Sequence, residues 1–316
     1  MLNMTVSVLI LLQRNRDKGD YMKDYMIRGM DREGRLRAFV ARTTETVDEA
    51  RRIHNTSATA TAAMGRLLTA GVMMGATMKN DTDLLTLKVS GDGPVGTITA
   101  VANNRGEVKG LIDNPGADAP STSSGKLDVG AIVGKKGTFI SITDVGMRDP
   151  YVGQTSLVTG EIGDDIANFY SESEQIPTAV GLGVLVDRDL SCKAAGGFII
   201  QLLPFITDEE IAMIESSLKK ARPLSTMIDE GYTPEEILDE LLSEFNMEVT
   251  ERIDVSYTCD CSSEKVEKVL ISLGEKEISD IIEEDGESEV VCHFCNTKYH
   301  FHKDDLEKIL LTIKNK

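Results

Sequence analysis

Four cysteines crowd into 37 positions near the C-terminus: Cys259-Asp260-Cys261, thirty intervening residues, then Cys292-His293-Phe294-Cys295. Two close pairs of thiols make the donor set of a tetrahedral site for a soft divalent metal. Zinc is the first expectation, because four thiolates suit its size and its lack of geometric preference. The second pair falls between Val290-Val291 and Lys298-Tyr299, which places it on a hairpin turn where backbone amides can reach the sulfurs. The first pair is unusual, since structural zinc sites generally space their ligands by two or more residues. A one-residue gap turns both sulfurs inward from a distorted backbone and brings them close together. His293, His300 and His302 lie nearby, but four thiols complete a shell, so they read as surface or outer hydrogen-bonding residues. Cys192, alone beside Lys193, reads as a semi-buried spectator.

Between the two pairs, Ser262 or Ser263 can cap a helix through Val266, Val269, Leu270 and Leu273 that Gly274 ends. Ile278, Ile281 and Ile282 form a second apolar face. So few large apolar groups give a unit of roughly fifty residues little core, and metal binding can supply on the order of 10–16 kcal/mol of folding free energy. Such a unit is expected to unfold without its metal. Oxidation of the thiols would destroy all the ligands, so the site is either a plain structural staple or a redox switch.

The rest of the chain narrows the choice. Its 316 residues are 41% hydrophobic, enough for two ordinary domains with a sizeable core. Residues 206–316 hold 12 basic and 28 acidic side chains, a net of −16 out of the whole chain's −18. That acidity disfavours phosphate backbones and anionic lipid as partners, and 5% aromatic residues with no Trp leave little for base stacking. The apolar run at 6–12 has no basic residue before it and Gln13-Arg14-Asn15-Arg16 after it, unlike an export signal. No stretch approaches the ~20 apolar residues of a membrane span. A cytoplasmic, reducing location is therefore expected.

Periodicity gives an α+β fold. Strands at 25–28 and 36–41 flank the turn Asp31-Arg32-Glu33-Gly34, and two helices between 46 and 77 meet near Asn55-Thr56-Ser57. Strands follow at 84–89, 95–102, 108–112, 137–143 and 155–158; then 162–173 and 178–185 hold a helix and a strand in some order. A buried strand at 196–204 ends in proline. Beyond it, Thr207-Asp208-Glu209-Glu210 and Thr233-Pro234-Glu235-Glu236 open two acidic amphipathic helices. With 14 acidic and 4 basic residues across 206–258, this helical linker repels itself and needs an external surface for its apolar stripes.

Gly91-Asp92-Gly93-Pro94-Val95-Gly96 matches the dinucleotide fingerprint, yet Pro94 and the apolar run after it indicate a turn into another strand rather than a helix. His54 reads as a helix-surface residue rather than a general base.

The chain resembles the heat-shock protein 33 (33 kDa chaperonin) family of redox-regulated bacterial chaperones from about Met22 to about Phe301. The resemblance rests on the Cys-x-Cys and Cys-x-x-Cys pairs and on four further segments. These are Gly91-Asp92-Gly93-Pro94, Ser173-Glu174-Gln175-Ile176-Pro177, Gly181-Leu182-Gly183-Val184, and Ala195-Gly196-Gly197-Phe198-Ile199-Ile200-Gln201-Leu202-Leu203-Pro204. It implies a holding chaperone without ATP use for unfolding client proteins, inactive while Cys259, Cys261, Cys292 and Cys295 bind one zinc ion. It further implies that oxidation pairs Cys259 with Cys261 and Cys292 with Cys295, releases zinc, disorders the linker and C-terminal domain, and yields a homodimer. No catalytic residue is expected. The expected organisation is an extension at 1–21 ahead of the family's usual start, an N-terminal α+β core at 22–205, the acidic linker at 206–258 and the zinc switch at 259–316. Two other classes remain: a zinc-ribbon nucleic-acid module, opposed by the net charge of −6 over 259–316, and a thiol oxidoreductase. The latter would need Cys292-x-x-Cys295 at a helix start.

Overall fold

The computed structural model describes residues 23–314; the extension at 1–21 and its apolar run lie outside them. The described chain forms two compact units that meet in sequence between Tyr257 and Thr258.

The first unit opens with the expected hairpin, β1 (Tyr25–Asp31) and β2 (Leu36–Arg42), and two helices, α1 (Thr44–His54) and α2 (Ala58–Gly75). The helices part where Asn55 enters the left-handed region and Ser57 caps α2 by accepting the Ala60 N–H. Then come β3 (Leu84–Ser90), β4 (Thr97–Ala102), β5 (Glu107–Ile112), the short α3 (Val129–Val133), β6 (Thr138–Asp144), β7 (Tyr151–Ser156), α4 (Gly163–Glu172), β8 (Thr178–Val186) and β9 (Cys192–Leu202). The order left open at 162–185 is thus helix before strand. The unit continues with α5 (Asp208–Lys220), α6 (Leu224–Asp229), α7 (Pro234–Leu242), β10 (Met247–Asp254) and β11 (Ser256–Tyr257). Thr207 and Thr233 form the capping boxes that the sequence indicates.

Two sheets result, one in the order β10-β1-β2-β9-β8 and one in the order β11-β5-β4-β3-β6-β7. Helix α2 packs against strands of both and is buried nearly all round, which its Ala, Gly, Thr and Met composition permits. The sheet pleat sorts the hairpin residues. Met26, Phe39 and Ala41 face the core around α2, while Tyr25, Ile27, Leu36, Ala38 and Val40 face the opposite side. On that side sit Ile214, Leu224, Met227, Ile237, Leu238, Leu241 and Leu242 of α5, α6 and α7. The acidic helices thus bury their apolar stripes on the outer face of the first sheet.

Residues 247–257 depart from the helical expectation. They run as strand, pairing antiparallel with β1 and then, over two residues, parallel with β5, so one segment joins both sheets. Gly91-Asp92-Gly93-Pro94-Val95-Gly96 forms the β3–β4 turn, as expected. A Cβ at Gly93 would strike the Ile132 carbonyl of α3, so close backbone packing, not a phosphate, explains that glycine.

The second unit contains α8 (Ser263–Leu273), α9 (Glu275–Glu284), β12 (Glu287–Val291), β13 (Lys298–His302) and α10 (Lys303–Lys314). Ser262 caps α8 and Gly274 separates it from α9 with a positive φ, as their types require. Its core is small: Val266, Leu270, Ile278, Phe301, Leu306 and Ile309.

Candidate metal centre

The one-residue spacing of Cys259 and Cys261 precedes α8, and the turn between β12 and β13 carries Cys292 and Cys295. Within that turn the Cys292 N–H donates to the Thr297 carbonyl at 2.9 Å, and the Asn296 N–H donates back to the Cys292 carbonyl at 2.7 Å. Asn296 takes a positive φ of 55°, a conformation Asn tolerates better than most residues. This tight loop turns both sulfurs of the second pair toward the first.

All four Sγ atoms lie within 4.8 Å of one another. Cys259 and Cys292 are 3.7 Å apart, and Cys261 and Cys295 are 3.3 Å apart. A tetrahedron with metal–sulfur bonds of about 2.3 Å has sulfur–sulfur edges of about 3.8 Å, so the four donors fit a single tetrahedral ion. The cysteines are half-buried and unpaired by disulfides.

The surroundings tune the sulfurs. Burial pushes the Cys259 thiol up, and the Cys261 thiol is raised for the same leading reason. Burial also opposes ionisation of Cys295, but the Thr297 hydroxyl and amide, together with the neighbouring cysteines, bring it down to about 7. The Thr297 hydroxyl oxygen is 3.1 Å from the Cys295 sulfur. Tyr299 donates its hydroxyl to the Cys261 sulfur at 3.0 Å, and this bond pushes the phenol up to about 12. Such outer hydrogen bonds orient thiolate ligands and moderate their charge. Spacing alone does not identify Thr297 and Tyr299. The available signal was strand alternation, which turns Tyr299 and Phe301 inward while Lys298, His300 and His302 face outward.

The three neighbouring histidines are exposed, as expected: His300 meets Glu289 at 3.3 Å and His302 meets Glu287 at 3.8 Å. Cys192 is buried on β9, where burial, then Asp48 and Asp24, push its thiol up to about 12, leaving it a poor nucleophile. His54 differs from a plain surface residue, because its Nε2 lies 3.3 Å from the Tyr257 hydroxyl. No helix among the described residues is long and apolar enough to cross a membrane.

Comparison with known proteins bears on the whole chain. Residues 24–302 match the family model described as Hsp33 protein. A 33 kDa chaperonin of Bacillus cytotoxicus is 49% identical over 292 residues, covering 92% of this chain and all of that protein. One from a Geobacillus species is 48% identical, covering 91% of this chain and 97% of the relative. Among solved structures, the 33 kDa chaperonin of Thermotoga maritima, a heat shock protein 33 homolog, aligns with a TM-score of 0.85 at 32% identity. That alignment covers 93% of this chain and all of the other. With a family match over most of its length and close relatives aligned end to end, the chain belongs to the Hsp33 family, the 33 kDa chaperonins.

Proposed function

We propose that this chaperone is an ATP-independent holdase controlled by the oxidation state of Cys259, Cys261, Cys292 and Cys295. The observation that carries the reading is the convergence of four thiols within 4.8 Å on a unit with only six buried core residues. The expected ion is zinc, one per reduced chain. Bound there, it would supply a four-thiolate cross-link and on the order of 10–16 kcal/mol toward folding of the unit.

The same residues would form the switch. Following the family resemblance, Cys259 pairs with Cys261 and Cys292 with Cys295. Each pair of sulfurs, thiolates while an ion would be held, gives two electrons to one peroxide, which takes two protons from the solvent as its O–O bond breaks to leave two waters, while one S–S bond forms. Two peroxides consume all four ligand sulfurs, and the small core of Val266, Leu270, Ile278, Phe301, Leu306 and Ile309 is left to hold the unit alone.

In this reading the core at 22–205 holds clients, 206–258 is the regulated linker and 259–316 is the sensor. The linker carries like charge on its outer faces and binds through one apolar stripe, the composition of a conditionally docked element. Its release uncovers Ile27, Leu36, Val40 and Ile200, an apolar surface for unfolding polypeptides. The oxidised form is expected to be a homodimer in the cytoplasm. The test is to mix reduced, zinc-loaded protein and peroxide-treated protein with a thermally unfolding client and follow light scattering. Suppression only after oxidation supports the switch; equal protection by both forms rejects it.

A further inference from the structure

At the edge of the six-stranded sheet, β7 lies beside α4 with no strand on its outer side. The β6–β7 register directs the Tyr151, Gly153 and Thr155 backbone groups toward β6 and those of Val152, Gln154 and Ser156 outward. Among the described residues, none of those three outward amides has a backbone partner. Nothing charged interrupts residues 150–160. The edge is also apolar and open, since Tyr151 is 59% and Val152 54% exposed, and Met147 in the preceding turn is 72% exposed. Native edge strands are usually blunted by Lys, Pro or a bulge, and β7 has none of these between Tyr151 and Ser156.

Two cavities flank this edge. One, of about 510 Å³, runs between Gln154, Ser156 and Val158 on the strand side and Asn168 and Glu172 of α4. The other, of about 210 Å³, lies by Tyr151 among Met78, Leu85 and Phe169, with Glu174 at its rim. The groove is built rigidly. The fully buried Asp165 accepts the Val158 N–H at 2.7 Å and the Ile162 N–H at 2.9 Å, which fixes the connection from β7 into α4. Glu172 and Glu174 have no ion-pair partner among the described residues.

We propose that the β7–α4 groove binds an extended, apolar client segment flanked by a basic residue, which adds to β7 as a further strand. This rests on the holdase reading and names the partner chemistry for one surface of it. The outward amides supply main-chain hydrogen bonds to any sequence, the apolar cavity takes a side chain, and the two free carboxylates favour a lysine or arginine. Sequence tolerance of this kind suits a chaperone. A second copy pairing through its own β7 fits less well, because residues 150–160 carry no lysine or arginine to meet Glu172 and Glu174. The groove is open in this structure, so it serves as a weak anchor in the reduced and the oxidised chain alike.

The probe is a fluorescein-labelled octapeptide of alternating valine and threonine with one terminal lysine, titrated against the reduced full chain by anisotropy, with hydrogen exchange followed alongside. Bound peptide is expected to slow exchange at Val152, Gln154 and Ser156. Gln154→Pro removes one outward donor without breaking a bond to β6 and is expected to weaken binding roughly tenfold. Glu172→Gln, on the helix surface, is expected to weaken it about threefold and to do so less at high salt. Absence of binding, or binding with no protection on β7 and unchanged affinity in both variants, overturns the proposal. Protection of the same amides without peptide, in a protein that sediments as a dimer, overturns it in favour of a second copy. Oxidised protein that binds the peptide at β7 but fails to suppress client aggregation would support the groove while counting against the holdase reading.

Discussion

The hydroxyl of Tyr257 donates to the Gly110 carbonyl at 2.9 Å and accepts the Gly110 N–H at 3.2 Å, so one side chain closes a stretch of β5 that β11 is too short to pair. Tyr257 precedes Cys259 by two residues, so the chain entering the candidate metal centre leaves the first unit from an anchored position. Tyr257→Phe strands both polar groups of Gly110. We expect a cost of about 1–3 kcal/mol, read as a lower urea midpoint and as faster amide exchange at Gly110. Unchanged exchange there would show that water replaces the hydroxyl at no cost.

Tyr299 tests the outer hydrogen bonds of the sulfur cluster. Tyr299→Phe keeps the ring and removes the donor to the Cys261 sulfur. Metal affinity of the reduced protein is expected to fall about 10–100-fold, measured by competition with a chromogenic chelator. Equal affinity would mean that the phenol packs beside the site without tuning it.

Cys295→Ser removes one of the four candidate ligands. It should lower metal content below one ion per chain and leave residues 258–314 open to protease even in reductant. Full metal content with unchanged protease resistance would contradict metal-dependent folding of that unit.

Docking of the linker is open to a packing test. Ile237 is fully buried among Ile27, Leu36 and Val40 and their neighbours, and Ile237→Ala is expected to cost about 3 kcal/mol. If release of α7 is what uncovers client surface, the reduced variant will suppress aggregation where the reduced wild type does not. A destabilised variant with no gain in holding would place client binding elsewhere.

Asp24 gives a pH dependence with a defined sign. Its carboxylate accepts the Thr46 N–H at 2.7 Å near the start of α1, but it is 3% exposed, and burial raises it from 3.8 to about 6 against the opposing bonds from Thr46 and Glu45. Because the folded value lies above the unfolded one, its stabilising contribution is complete below about pH 4 and is lost as pH rises through about 6. Asp24→Asn keeps the acceptor without the charge. The variant should gain on wild type between pH 4 and 7, by at most about 3 kcal/mol, and the difference should be flat above that range in urea titrations. A difference independent of pH would mean that Asp24 is not ionising in this range.

Much of this architecture was readable because its signals are local. The capping boxes at Thr207 and Thr233, the Ser262 cap with Gly274 after the helix, and the paired cysteines need only short spacings. The strand at Met247–Asp254 alternates Met247, Val249 and Ile253 with Glu248, Thr250 and Arg252, but Glu251 interrupts the pattern, and Val249 stays 47% exposed because the strand pairs along one sheet edge, so the signal is weak beside the helical one before it. Helix α10 is faint in the sequence although Leu306 and Ile309 complete the small core, since the basic and acidic residues around them dilute the periodic signal. The roles of Tyr299 and Thr297 depend on which strand face meets the sulfurs, and that is settled only when β12 and β13 pair.

The most direct measurement follows metal release and client protection in one cuvette as peroxide is added to reduced, zinc-loaded protein, with a chromogenic chelator reporting the ion and light scattering reporting the client. The account predicts one zinc ion released per chain, with aggregation suppressed in step with that release. A reduced protein that carries no metal, or that protects the client as well before oxidation as after it, would contradict it.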